Sequence, residues 1–245
     1  MKVIVTRPSP DAEIFACDVG RIGAEAVLSP VMAIRARSVA VDRNSIKALA
    51  FTSSNGVRAF VGLSTDRRLP VFAVGAATAD AALAAGFSTV SAARGDVGSL
   101  ATLIFEAKPS GVILHLAGNE RAGDLAQRLS AKGIRMRRQV IYDAVEIEDI
   151  APQAAAILAD GMQNPAIVFF SPRSARIFVR QAARAGLLSS LRRSIALCLS
   201  EEIAEALSGV DWLAVRIASE RTSAAMLLLV EEELAGRKGR TIAPR

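Results

Sequence analysis

Short clusters of hydroxyl and amide side chains recur where apolar runs end. Ser53-Ser54-Asn55 follows the run from Ala48 to Phe51, and Ser171-Pro172-Arg173 follows the run from Ala166 to Phe170. Thr6-Arg7, Gly75 with Thr78, Gly118-Asn119, Ser200 and Thr222 stand at equivalent places after other runs. Such side chains, with the free N–H groups of a helix start, donate hydrogen bonds to carboxylates or phosphates. What is missing narrows the chemistry. No Cys/His cluster has metal-ligand spacing, no carboxylates pair usefully, and no dinucleotide or P-loop glycine pattern occurs. The one histidine, His115, lies inside an apolar run and reads as structural. No base stands beside any serine, so Ser-His-Asp chemistry has no support. Taken alone, each serine reads as a helix cap. The set is stronger than its members because it recurs in two copies of one unit.

The elements that must position these groups come in those two copies. Phe51-Thr52-Ser53-Ser54-Asn55-Gly56-Val57-Arg58-Ala59-Phe60-Val61 returns as Phe169-Phe170-Ser171-Pro172-Arg173-Ser174-Ala175-Arg176-Ile177-Phe178-Val179. Each copy reads as a buried strand, a tight turn and a helix start. Val71–Val74 with helix 76–85 matches Ile195–Cys198 with helix 201–207, and Thr89–Ala93 with helix 98–107 matches Leu213–Ala218 with helix 223–234. Val3–Val5 with helix 10–22 matches Val112–His115 with helix 120–132. The N-terminal strand thus matches the fourth element of the central copy. The chain starts in one domain, builds the second whole, then returns to finish the first, so it crosses twice.

This order gives an α/β protein with two parallel sheets, each covered on both faces. Domain 1 is residues 1–34 and 151–245, domain 2 is residues 44–141, and the linker is 35–43 with 142–150. The two extended crossings can pair as a small ladder. Ser9 is expected to cap the first helix, with Pro10 at its first position and Asp11 and Glu13 complementing the dipole. Gly23, Gly86, Gly133, Gly186 and Gly209 are expected to stop helices.

Composition sets the remaining bounds. The 245 residues are 51% apolar, with few aromatics, and suffice for two cores. Thirty basic and 24 acidic residues give a net charge of +6, which points to an anionic partner. The basic residues are scattered and no aromatic platform accompanies them, which argues against nucleic acid. Cys17 and Cys198 read as reduced core residues of a cytoplasmic protein. No signal peptide is visible and no apolar run is long enough to span a bilayer. The basic end from Gly236 to Arg245 reads as a frayed tail.

The chain resembles uroporphyrinogen-III synthase from Met1 to about Leu234. The resemblance rests on Val5-Thr6-Arg7-Pro8, Phe51–Val57, Val74-Gly75 with Thr78-Ala79, Gly118-Asn119 with Arg121, Tyr142 with Ala144-Val145, and Phe169-Phe170-Ser171-Pro172. Each motif is short; their order and spacing together are specific. The resemblance implies two flavodoxin-like domains joined by a two-stranded linker, with the active site in the cleft between them. It implies cyclisation of the linear tetrapyrrole hydroxymethylbilane, with loss of water and inversion of the last ring through a spiro intermediate. That substrate carries eight carboxylates, in keeping with the basic balance. Such chemistry needs a folded, held substrate more than a strong nucleophile.

No cofactor or metal is implied. The expected partner is the substrate, handed over transiently from hydroxymethylbilane synthase to a monomer that binds neither nucleic acid nor membrane. By this carry-over Tyr142 is the catalytic candidate, assisting loss of the hydroxyl. Ser53, Thr78 and Ser171 carry over as carboxylate contacts, and Arg7, Ser54, Asn55, Gly75, Gly118, Asn119, Arg173, Ser200 and Thr222 complete the expected binding set.

Two departures stand out. Ser200-Glu201-Glu202-Ile203-Ala204 replaces a Gly-Pro-Thr-Thr-Ala pattern common among relatives, and Ala117 stands where bacterial relatives often carry Arg. Glu201 and Glu202 are expected to cap their helix and turn away from the substrate, or to be neutralised by Arg173 or Arg7. Two other classes fit the same residues: a two-domain binder of small anions, and a synthase-like module that has lost activity.

Overall fold

A computed structural model describes residues 1–42, 44–120, 124–161 and 164–240. Arg43 at the end of the first crossing, Arg121 of the Gly118-Asn119 motif, and the tail beyond residue 240 lie outside the described residues. Two compact units divide the chain: Met1–Ala33 with Val145–Arg245, and Ile34–Ala144.

In the first unit, β1 (Lys2–Val5), β2 (Glu25–Leu28), β9 (Ala166–Phe169), β10 (Ile195–Cys198) and β11 (Ala214–Ile217) form one sheet in the order β2-β1-β9-β10-β11. Every neighbouring pair is parallel. Helices α1 (Asp11–Arg21) and α9 (Ser223–Arg240) pack on one face, where Phe15, Val19, Met226 and Val230 meet Val3, Val5, Val168 and Leu197. In the second unit, β7 (Val112–Gly118), β8 (Met136–Glu146), β4 (Ile46–Phe51), β5 (Val71–Ala73) and β6 (Val90–Ala92) run in the order β8-β7-β4-β5-β6, again parallel. β3 (Met32–Ala36) lies outside β8 at the sheet edge.

Both sheets therefore share one spatial order, and the second is its circular permutant. If β7, β8, β4, β5 and β6 are counted as strands one to five, each sheet reads 2-1-3-4-5. That is the flavodoxin-like order. The repeat extends into the packing. Phe51 meets Phe60 of α2 (Ser54–Leu63) edge-to-face at 6.0 Å, and Phe169 meets Phe178 of α7 (Pro172–Arg184) in the same way at 5.6 Å. Each pair joins the strand to the helix that follows it.

Local rules yield at several points. Ser9 does not cap α1; its hydroxyl donates to the Glu13 side chain at 2.6 Å, and Pro10 takes the cap position. Gly23, Gly86, Gly133 and Gly186 adopt positive φ, whereas Gly209 does not; Gly161 and Lys108 end α6 (Pro152–Asp160) and α4 (Val97–Ala107) in the left-handed region instead. Of the helix expected from Glu120 to Lys132, the described part is α5 (Leu125–Ser130). Cys198 is buried, and burial pushes its thiol up to about 12. Cys17 is exposed, because Ala12, Phe15 and Val19 turn the opposite face of α1 inward.

His115 is held as a strand residue. It is 7% exposed in the middle of β7, with Nε2 3.1 Å from Thr52 Oγ1 on the neighbouring strand. Burial, and secondly the charge of Arg138, lower its pKa from 6.5 to about 4. The unfolded chain then binds a proton that the folded chain refuses between those values. Stability is full above about pH 6.5 and falls as the pH drops toward 4, by roughly 3 kcal/mol in total. Denaturant titrations at pH 7.5 and 4.5 should show a smaller acid loss for His115→Gln than for the unchanged chain. Equal losses would mean that His115 is protonated in the fold.

Candidate functional site

In a 2-1-3-4-5 sheet the helices after strands one and three leave on opposite faces, which opens a crevice at the carboxyl ends of those strands. In the second unit that crevice lies at the ends of β7 and β4. Tyr142 reaches it because β8 carries a bulge. Ala117 pairs with Val140 and Gly118 with Tyr142, so Ile141 is the extra residue. Ile141 and Tyr142, though consecutive, therefore both pack into the same cluster with Leu114, Leu116, Phe51 and Val57.

The ring of Tyr142 lies between two glycines. A Cβ on Gly118 would stand 2.7 Å from its Cε2, 2.8 Å from Cζ and 3.0 Å from the hydroxyl oxygen. A Cβ on Gly56, in the first turn of α2, would lie 3.8 Å from Cε1 and 3.0 Å from the Leu116 carbonyl. Asn119 then clamps the end of β8: its N–H donates to Tyr142 O and its Oδ1 accepts from Ala144 N, both at 3.0 Å. Tyr142 is 8% exposed.

The other donors of this rim serve their own elements. Ser53 is the N-cap of α2, accepting from Asn55 N at 2.9 Å. Ser54 donates to Ala77 O at 3.1 Å, and Asn55 Oδ1 accepts from Arg58 at 2.6 Å. Gly75 caps α3 (Ala76–Ala84), where a Cβ would stand 3.1 Å from the Cα of Gly95. Thr78 is 5% exposed in the first turn of α3, its N–H on Gly75 O. A surface hollow lined by Val61–Arg68 opens at the other end of α2. Its Arg67 is spent on the carbonyls of Ser64 and Ala85 and stacks on Phe60 and Phe87, a structural brace.

In the first unit the equivalent crevice lies at the ends of β1 and β9. Thr6 is fully buried and donates to Val168 O at 2.7 Å, tying the two strands. Arg7 stacks on Phe170 at 4.3 Å, donates to Ser223 at 3.2 Å and pairs with Asp11 at 3.2 Å. Ser171 caps α7, accepting from Ser174 N at 3.1 Å, and its hydroxyl lies 2.8 Å from that of Ser174. Arg173 stands 4.0 Å from Glu146. Thr222 accepts from Ala225 N at 3.1 Å at the start of α9.

Glu202, in α8 (Glu201–Glu205), is neutralised by neither Arg173 nor Arg7. It pairs with Arg221 at 2.6 Å. Hydrogen bonds from Ser200, from its own backbone and from Arg221 pull its carboxyl down to about 2. Ser200 stands at the cap position but makes no side-chain cap bond. Glu201 and Glu202 are both exposed. Arg221, Gly56 and Arg138 are the residues that sequence reasoning passed over. Gly56 lay within a quoted motif, whereas the two arginines carry no local pattern that separates them from surface charge.

Two parallel sheets of one strand order, with donor-lined switch points, define a duplicated flavodoxin-like α/β protein. The family profile described as uroporphyrinogen-III synthase HemD matches residues 14–227, and the chain belongs to that family. Uroporphyrinogen-III synthetase from Helicobacter pylori shares the fold at TM-score 0.63 and 18% identity, covering 95% of this chain and 100% of that one. A mutant uroporphyrinogen III synthase from Thermus thermophilus shares it at TM-score 0.55 and 20% identity, covering 96% and 99%. No curated protein sequence matches the chain significantly.

The glycine seat makes a direct prediction. Gly118→Ala forces the Tyr142 ring to move and should cost about 1–3 kcal/mol in denaturant unfolding. A change below about 0.5 kcal/mol with the ring unmoved in a crystal structure would show that the seat does not depend on glycine.

Proposed function

We infer that the chain cyclises hydroxymethylbilane to uroporphyrinogen III, losing water and inverting ring D through a spiro intermediate. Membership of the synthase family over residues 14–227 is the observation that carries this. It disfavours both the small-anion binder and the lapsed module. In this reading the Tyr142 phenol gives its proton to the departing hydroxyl. The C–O bond breaks, water leaves, and the pyrrole nitrogen stabilises the azafulvene cation. The substituted carbon of the last ring attacks it, and the spiro intermediate fragments and recloses. The proton lost at the end restores the phenol.

The remaining candidates bind rather than react. The candidate donors to carboxylates of the substrate are Ser53, Ser54, Asn55, Gly75, Thr78, Gly118 and Asn119 in the second unit, and Arg7, Ser171, Arg173, Ser200 and Thr222 in the first. Backbone N–H groups at the capped helix starts share this load, since several hydroxyls already serve their own helices. We place the enzyme in the cytoplasm as a monomer that takes its substrate by hand-over from hydroxymethylbilane synthase. Among the described residues, no helix is long and apolar enough to cross a membrane.

Freshly made hydroxymethylbilane, with the type I and type III products resolved, tests the reading. The unchanged chain should give type III product. Tyr142→Phe should lower kcat about 10²-fold or more with the fold intact. Ser53→Ala should weaken substrate binding by no more than about 1.5–3 kcal/mol. Type I product alone from the folded, unchanged chain would refute the synthase reading. Full activity in Tyr142→Phe would remove the phenol from the mechanism.

A further inference from the structure

We propose that Arg138 is a positioning residue for the reaction: its guanidinium holds the Gly118–Glu120 turn that seats the Tyr142 ring. The proposal rests on the synthase reading above and deepens it. Arg138 lies on β8, four residues before Tyr142 and opposite His115 in register. Its Nη2 donates to Gly118 O and, at 3.0 Å, to Glu120 O, with Asn119 O at 3.5 Å. Three consecutive carbonyls at the end of β7 thus converge on one nitrogen.

The end of β7 explains why a side chain is needed there. Where Ile141 is extruded, the ladder between β7 and β8 shifts register between Ala117 and Gly118. Gly118 is the last residue of β7, so the carbonyls of Asn119 and Glu120 lie beyond the ladder, and an unpaired carbonyl beside a core is costly. Nη2 of Arg138 supplies the donors. The turn so held grips Tyr142 twice, through the Gly118 backbone against the ring and through the Asn119 N–H on the Tyr142 carbonyl. Arg138, the turn and Tyr142 form a closed circuit on one strand pair. Without the guanidinium, the turn can retreat from the ring and the phenol loses its fixed place.

Tyr142 is the only tyrosine in the chain, so a ring-labelled sample gives a single signal from this site. Arg138→Met and Arg138→Lys are compared with the unchanged chain by that 13C tyrosine signal, by kcat and KM for hydroxymethylbilane, and by the fraction of type III product. Arg138→Met should shift or broaden the tyrosine signal. It should lower kcat tenfold or more while KM stays within about twofold, and the type I fraction should rise. Arg138→Lys, which keeps one donor, should recover part of kcat and of the signal. If Arg138→Met does not fold, Arg138→Lys carries the test, with an intermediate kcat and a shifted signal expected.

An unmoved tyrosine signal in either folded variant would overturn the proposal, whatever the activity. So would a loss of activity that merely tracks the unfolded fraction. If the unchanged chain makes no type III product, the synthase reading fails by itself. The tyrosine signal then still decides whether Arg138 seats Tyr142.

Discussion

The contact between the Tyr142 ring and the bare backbone of Gly118 is the constraint on which the rest of this site depends. A side chain at 118 would occupy the volume of the ring, and the ring is on that face only because β8 bulges at Ile141. Gly56 extends the same requirement to the first turn of α2, where the ring passes within ordinary van der Waals distance of a virtual Cβ. The seat therefore joins three elements, the ends of β7 and β8 and the start of α2, at the switch point of the second sheet. A rigid aromatic placed in this way keeps its polar end at the strand rim.

The duplicated fold offers two such rims, and they are built differently. In the second unit, glycines and Asn119 present Tyr142. In the first, the corresponding strand end carries Arg7, whose guanidinium is stacked on Phe170 and shared between Asp11 and Ser223. The basic excess of the chain is spent in part on such bracing. Arg67 stacks on Phe60 and Phe87, Arg37 forks onto Asp143, and Arg137 reaches Asp42. A net charge of +6 is thus a weaker pointer to an anionic substrate than it looks, because several of these cations fasten loops and edges to the sheets.

The parallel sheets and their permutation were legible because the chain carries the unit twice, whereas the strand order was implied only by the family resemblance. Phe51 with Phe60 and Phe169 with Phe178 are two samples of one packing, and each supports the other. The site was legible in part. Gly118, Asn119 and Tyr142 could be singled out as separate motifs, but nothing in Arg137-Arg138-Gln139-Val140-Ile141-Tyr142 announces a register shift. Side-chain alternation along β8 without the bulge would put Tyr142 on the opposite face. Arg138 escaped notice for the same reason, since its partners are backbone carbonyls of another strand. Ser9 and Ser200 show the limit of capping rules. Ser9 stands one residue before the cap and donates to Glu13, and Ser200 stands at the cap without a side-chain cap bond.

We propose that substrate chemistry takes place at the strand-end rim where Tyr142 is seated. The most direct measurement is a titration of isotope-labelled protein with uroporphyrinogen III, following the amides of Gly56, Gly118 and Asn119 and the ring signal of Tyr142. These signals should move together and saturate, while those of Ser64–Arg68 at the far end of α2 stay in place. Saturable shifts confined to the Ser64–Arg68 loop, with the Tyr142 ring unmoved, would contradict it.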